Sequence, residues 1–98
     1  MKTNDKLRYI ADHYGREAQS GKLAEECVEL AHAAMRYVAG KATRDEVLEE
    51  IADVSVMIGQ MSYLLDDGTG DASRTIRRIV DEKIERTMRR IANELPRV

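Results

Sequence analysis

The sequence predicts an all-α fold, and three observations lead to this expectation. Apolar residues recur at helical spacing nearly from end to end, and no segment alternates with the two-residue period of a strand. Glycines interrupt the pattern at Gly15, at Gly40 and between Gly68 and Gly70. The apolar residues are mainly Ile, Leu, Val, Met and Ala, without Phe or Trp, which suits helix packing. We therefore expect four helices in a single domain, residues 1–98.

The first two helices are separated by Gly15. The first is short, with Asn4 or Asp5 as the expected N-cap and Gly15 at its end. The second runs from about residue 17 to residue 39 and ends at Gly40. These two segments place a short helix directly before a long one.

The third helix opens with the pattern Thr43-x-x-Glu46, which is typical of a capping box. It extends to about residue 65, where an aspartate- and glycine-rich stretch breaks the chain. Asp71 or Ser73 is the expected cap of a last helix, which reaches about residue 94.

The short connection 40–42 predicts that the second and third helices form a central antiparallel hairpin. Both helices carry apolar residues on more than one face, and a chain of 98 residues has little to cover them with. We therefore expect oligomerisation through helix packing, as a homodimer or homotetramer.

Composition and charge exclude several classes of protein. The chain is 43% hydrophobic and 35% charged, which indicates a globular protein, and no apolar run approaches the ~20 residues of a membrane span. Residues 1–6 lack the apolar core of a signal peptide, and the single cysteine, Cys27, fits a reducing compartment, so we expect a cytoplasmic protein. A net charge of −2 argues against nucleic acid as a partner.

The charges are unevenly distributed along the chain. Residues 25–53 hold eight acids and three bases, whereas residues 74–98 hold eight bases and four acids. An acidic middle beside a basic last helix suits a metal ion next to a phosphate group.

Two pairs of carboxylates at three-residue spacing are the most specific feature of the sequence. Glu26 and Glu29 lie on the second predicted helix, and Glu50 and Asp53 lie on the third. Such pairs usually mark a solvated helix face, but Glu26 and Glu50 fall inside apolar stripes, where an unpaired carboxylate is costly. The hairpin brings the pairs together, with Glu29 expected opposite Asp53. Four convergent acids need a cation, and an all-oxygen ligand set favours Mg²⁺, with Mn²⁺ as a substitute.

These motifs resemble the MazG-like, all-α nucleoside triphosphate pyrophosphatases. Segments 22–30 (KLAEECVEL) and 49–54 (EEIADV) match the family signature of Glu-x-x-Glu followed on the next helix by Glu-x-x-Asp, here twenty residues apart. Segment 81–86 (DEKIER) is similar to the family's Asn-Glu-Lys-Phe-Glu-Arg stretch, with Asp81 in place of Asn and Ile84 in place of the aromatic residue. With similarity upstream at Tyr14, Gly15 and Gln19, the resemblance covers most of the chain.

The resemblance implies a MazG-like four-helix bundle that hydrolyses a nucleoside triphosphate to the monophosphate and pyrophosphate. The four carboxylates would be its catalytic metal ligands, namely Glu26, Glu29, Glu50 and Asp53. On the last helix, Lys83 would neutralise charge on the phosphates during catalysis, and Arg86 and Asp81 would help to bind the substrate. For Arg86 a solvated basic face is an equal alternative.

Other interpretations stay open at this point. The related phosphoribosyl-ATP pyrophosphohydrolases share the hairpin of acids, and a non-catalytic oligomerisation or regulatory module could keep the same fold. Against that module, an apolar stripe has no packing reason to retain Glu26 and Glu50. The four tyrosines are candidates for stacking on a base, and Tyr37 is the nearest to the acidic stripe, but the sequence favours none of them.

Overall fold

The structure is a computed structural model that describes residues 1–95. These residues form four α-helices and no strand, so the all-α class is confirmed over this range. The helices are α1 (Thr3–Tyr14), α2 (Arg16–Val38), α3 (Arg44–Leu64) and α4 (Asp71–Glu94). The three interruptions contain the glycines at which the sequence predicted them, and Gly15 has a φ of 88°, in the left-handed region that favours glycine.

By their contacts these helices divide into two compact units, which are described separately. The first unit is Met1–Leu65 and contains α1, α2 and α3, whereas the second begins at Asp66 and contains α4. That a single domain spans residues 1–98 stays a prediction. No helix in residues 1–95 combines the length and hydropathy that a membrane crossing requires.

The start of α3 confirms the predicted capping box. The Thr43 hydroxyl accepts a hydrogen bond from the Glu46 amide at 3.2 Å, and the Glu46 carboxylate accepts one from the Thr43 amide at 3.3 Å. These two bonds satisfy amide groups that have no partner within the helix. The first turn of α3 is therefore fixed by its own sequence.

The predicted caps of α1 and α4 are wrong. In α1 the helix already begins at Thr3, so Asn4 and Asp5 lie inside its first turn, and Lys2 precedes it without a side-chain cap. In α4 the cap position is occupied by Gly70, so Asp71 and Ser73 lie within the helix. Both helices therefore begin earlier in the sequence than the predicted caps would allow.

In the first unit α2 and α3 pack together as the predicted antiparallel hairpin. Near the start of α2, Gln19 Nε2 donates a hydrogen bond of 2.7 Å to Gln60 Oε1 near the end of α3, and both side chains are buried. Helix α1 packs on α3, where Leu7 lies so close to Gly59 that a Cβ added to this glycine would be 3.0 Å from Leu7 Cδ1. This packing gathers the hairpin and α1 around one small core.

The core of the first unit is partly polar. Its buried apolar side chains are Ala11, Val54, Met57 and Met61. Three polar side chains are equally buried, namely Gln19, Glu26 and Gln60. Because a buried polar group needs a partner, these three side chains identify the region of the hairpin where function is to be sought.

In the second unit, the apolar residues of α4 line one stripe of the helix and are substantially exposed. Their exposed fractions range from 37% at Ile79 to 57% at Met88. The loop before the helix is ordered by its own side chains, since Asp66 Oδ2 accepts a hydrogen bond of 3.0 Å from the Gly70 amide. Helix α4 is thus an amphipathic helix whose apolar stripe is available for contact.

Candidate functional site

Three carboxylates from α2 and α3 converge in the middle of the hairpin. One oxygen atom each of Glu26, Glu29 and Glu50 lies within 4.8 Å of the others. Glu26 and Glu29 are neighbours because they are three residues apart on α2. Glu50 reaches them from α3 across the hairpin. We call these three residues the acid cluster.

The register of the hairpin determines which residue of α3 joins the cluster. Ten residues along each helix from the Gln19–Gln60 bond, Glu29 comes to the level of Glu50. The sequence predicted that Glu29 would face Asp53, and this register is wrong by three residues. The pairing of Glu29 with Asp53 assumed a turn centred near residue 41, whereas the Gln19–Gln60 bond places the centre between residues 39 and 40. Each shift of the centre by one residue changes the paired residue on α3 by two.

Burial distinguishes the members of the acid cluster. Glu26 is only 8% exposed, Glu50 is half-buried and Glu29 is exposed. Within residues 1–95, Glu26 Oε2 and Glu50 Oε2 are buried and have no hydrogen-bond partner. Burying an unpaired carboxylate oxygen away from water costs free energy, so a nearby positive charge would stabilise these two atoms.

Lys22 supplies part of this positive charge. Its Nζ lies 3.2 Å from Glu26 Oε1 and 3.7 Å from the carboxylate of Glu25, while its side chain remains about half exposed. The hydrogen bond and the charge of Glu26 raise the pKa of Lys22. Sequence reasoning gave Lys22 no role, although its spacing of four residues from Glu26 is the spacing of a helical ion pair.

The remaining electrostatics reflect repulsion within the acid cluster. The negative charge of Glu26 raises the pKa of Glu29, with smaller contributions in the same direction from desolvation and from the charge of Glu50. Lys22 opposes this shift. Glu29 therefore holds a proton more readily than an isolated glutamate does, and a nearby cation would reverse this tendency.

A pocket of about 640 Å³ opens between α1, α2 and α3 beside the cluster. We call it the side pocket, and its lining includes Tyr14, Gln19, Gly21, Lys22, Met57 and Gln60. Lys22 belongs to both places, because it lines the pocket and also pairs with Glu26. The volume is within the roughly 300–1,000 Å³ that is usual for small-molecule sites.

Sequence reasoning did not identify this pocket. Helical spacing places Gln60 one turn after Met57 on α3, which hints at a buried amide, but nothing local pairs it with Gln19, 41 residues away. Among the tyrosines, helical spacing placed Tyr37 nearest to the acidic stripe. The structure instead places Tyr14 at the pocket, with 61% of its surface exposed.

Comparison with protein-family models, curated proteins and solved structures finds no match for this chain. The MazG-like resemblance therefore rests on the motifs of the sequence. What the chain does has to be argued from the acid cluster and its surroundings.

The structure brings together three of the predicted site residues, Glu26, Glu29 and Glu50. Asp53 lies on α3 one turn after Glu50, is exposed and is outside the group of mutually close oxygens. Three further predicted residues lie exposed on α4 in the second unit, namely Asp81, Lys83 and Arg86. Their roles toward metal and substrate stay predictions.

Proposed function

We propose that this chain is a Mg²⁺-dependent nucleoside triphosphate pyrophosphohydrolase of the MazG-like kind, which releases a nucleoside monophosphate and pyrophosphate. The observation that carries the proposal is the pair of buried carboxylate oxygens without a partner, Glu26 Oε2 and Glu50 Oε2, within a cluster of three acids. A solvated acidic face would leave such atoms in water. Their burial argues for a function that uses their charge.

The donor set fits a hard divalent cation. Glu26, Glu29 and Glu50 would hold it through carboxylate oxygens, which Mg²⁺ and Mn²⁺ prefer, and we propose Asp53 as a fourth ligand. When bound, such an ion supplies Lewis acidity to the phosphate oxygens and lowers the pKa of a water molecule. No cysteine or histidine belongs to the cluster, which disfavours zinc.

The residues around the cluster have separate tasks in this proposal. Lys22 neutralises part of the charge of the buried Glu26 carboxylate through its ion pair when no metal ion is bound. Lys83 neutralises negative charge on the phosphates, and Arg86 and Asp81 help to position the substrate. Both basic residues lie on a helix rich in arginine, which is the kind of surface that phosphates prefer.

We also propose that the active form is a homodimer or homotetramer in the cytoplasm. Three apolar residues of α2 are largely exposed, with exposed fractions of 69% for Val28, 73% for Met35 and 86% for Val38. The apolar stripe of α4 is exposed as well. Exposed apolar surface on this scale is typical of interfaces. The single cysteine, Cys27, is a free thiol, as is usual in a reducing compartment.

The proposal is tested by a screen for pyrophosphate release with Mg²⁺ and the common ribo- and deoxyribonucleoside triphosphates, with phosphoribosyl-ATP as an additional substrate. We expect pyrophosphate and a monophosphate from at least one triphosphate, and no reaction when EDTA replaces Mg²⁺. Turnover of phosphoribosyl-ATP alone would assign the chain to the related hydrolases instead. If no substrate is turned over, an enzymatic role is contradicted, and the interpretation as a non-catalytic oligomerisation or regulatory module is favoured.

A further inference from the structure

The floor of the side pocket carries a hydrogen-bond acceptor that the protein does not use. Gln19 Nε2 donates to Gln60 Oε1 at 2.7 Å, which fixes the orientation of the Gln19 amide. Within residues 1–95 no protein donor bonds to Gln19 Oε1, and this oxygen is not among the fully buried atoms, so it is accessible to a ligand. A carboxamide oxygen left without a partner at the edge of a pocket is suited to accept a hydrogen bond from a ligand.

We propose that the side pocket binds the nucleobase of the substrate and prefers a base with an exocyclic amino group, such as cytosine or adenine. This inference rests on the proposed function, because it names the part of the nucleotide that lies beside the acid cluster. The amino group would donate a hydrogen bond to Gln19 Oε1. Uracil and hypoxanthine carry a carbonyl at the corresponding position, which would face the same oxygen without a proton between them.

The walls of the pocket suit an aromatic heterocycle. Tyr14 lines it with a largely exposed ring, which contacts the His13 ring at 4.7 Å in a T-shaped arrangement, and Met57 adds an apolar, polarisable side chain. Gly21 lies on the wall formed by α2, where a Cβ would meet no atom within 4 Å. The absence of a side chain at this position keeps the wall open for a ligand.

The position of the pocket relative to the acid cluster gives the ligand a direction. Lys22 is shared by the two places, because it lines the pocket and lies 3.2 Å from Glu26 Oε1. A molecule with a flat heterocycle at one end and phosphates at the other can therefore contact the pocket and the cluster at once. A nucleotide has this layout, whereas inorganic polyphosphate lacks the heterocycle.

Nucleosides without phosphates test the pocket independently of the metal and of hydrolysis. We would titrate the ¹⁵N-labelled full chain in EDTA with cytidine, uridine, adenosine and inosine and follow amide shifts by NMR. We expect cytidine and adenosine to shift the amides of Tyr14, Gln19 and Gly21. Uridine and inosine should bind about 2–10-fold more weakly, which is the effect of one hydrogen bond.

A variant that fills the pocket provides the second test. Gly21→Leu adds bulk where the structure offers open space, and replacing a helical glycine favours folding, so the variant should remain folded. It should lose at least tenfold in cytidine affinity. Ala31→Leu is the matched control, because this alanine is exposed on the same helix and does not line the pocket. We expect the control to bind cytidine as the wild type does.

Several outcomes would overturn the assignment. These are shifts confined to residues outside the pocket, equal or stronger binding of uridine and inosine, or full cytidine affinity in Gly21→Leu. Failure here is distinguishable from failure of the proposed function. Pyrophosphate release without nucleoside binding at the pocket would refute only the base site, whereas base-selective binding without any hydrolysis would keep the pocket and refute the enzyme.

Discussion

Lys22 Nζ lies 3.2 Å from Glu26 Oε1, so a half-exposed lysine pairs with the most buried carboxylate of the acid cluster. One positive charge thus faces three carboxylates, and the second oxygen of Glu26 is left without a partner. The pair stabilises the acid cluster only in part. The remaining negative charge of the cluster is what a bound cation would neutralise.

Divalent metal should stabilise the folded protein. A ligand that binds only the native state contributes about 2.7 kcal/mol to the unfolding free energy when its free concentration is ~100 times its Kd. We expect the melting temperature, measured by calorimetry, to rise with Mg²⁺ and to fall with EDTA. Glu50→Gln should lose most of this response, whereas Asp45→Asn, an exposed acid on the same helix, should keep it. A melting temperature that is indifferent to chelation in the wild type would mean that the cluster binds no metal.

Removing Lys22 should have opposite effects in the absence and in the presence of metal. In EDTA, Lys22→Met leaves Glu26 without its ion-pair partner, so the melting temperature should fall. With Mg²⁺ the variant should bind the ion more tightly, because a competing positive charge next to the site is gone. Titration calorimetry measures the affinity, and Lys6→Met serves as an exposed control. Weaker Mg²⁺ binding by Lys22→Met would show that the lysine assists the site rather than competes with the ion.

The pH dependence of stability should reveal the repulsion at Glu29. Its folded pKa is raised above the ordinary value of 4.5, chiefly by the charge of Glu26, so the native state binds a proton more readily than the unfolded state. In EDTA its contribution to the unfolding free energy should therefore be most favourable below that value and decline as pH rises through the raised pKa. Denaturant unfolding of wild type and Glu29→Gln across this window measures the difference. A wild type that gains stability over the variant with rising pH would contradict the assignment.

Saturating Mg²⁺ should reverse this trend. Metal binding favours the ionised carboxylate, so the stability of the wild type should then increase relative to Glu29→Gln as pH rises. The same unfolding series with Mg²⁺ in place of EDTA provides this comparison.

Local spacing predicted the helices well, because the signals that start and stop a helix lie within a few residues of each other. The capping box of Thr43 and Glu46 and the break at Gly15 are examples. The caps of α1 and α4 were not predictable in this way, since a polar residue near a helix start can also lie in its first turn. Choosing between these positions depends on packing that the sequence does not display.

The candidate site was predictable only in part. The helical wheel showed that Glu26 and Glu50 fall inside apolar stripes, and in the structure Glu26 is buried and Glu50 is half-buried. The wheel could not fix the register across the hairpin, so it paired Glu29 with the wrong residue of α3. It also could not reveal the Gln19–Gln60 bond, because that contact depends on the packing of helices far apart in sequence.

Lys83 should affect turnover more than metal binding. If its charge stabilises the phosphates in the transition state, Lys83→Ala should lower kcat by roughly 10²–10³-fold and leave the stabilisation by Mg²⁺ unchanged. Thr87→Ala, a neighbouring change on α4, is the control. Steady-state kinetics together with Mg²⁺-dependent melting separate the two effects. An unchanged kcat would leave Lys83 as part of a solvated basic face.

The central claim is that buried carboxylates on a helical hairpin carry a metal-dependent hydrolysis, and pyrophosphate release by Glu26→Gln tests it most directly. This substitution keeps the size of the side chain and removes the charge of the most buried acid. With the best triphosphate and saturating Mg²⁺, we expect the wild type to release pyrophosphate and a monophosphate, and the folded Glu26→Gln variant to release neither. Full activity of Glu26→Gln would contradict the account, because the cluster would then have no part in the reaction.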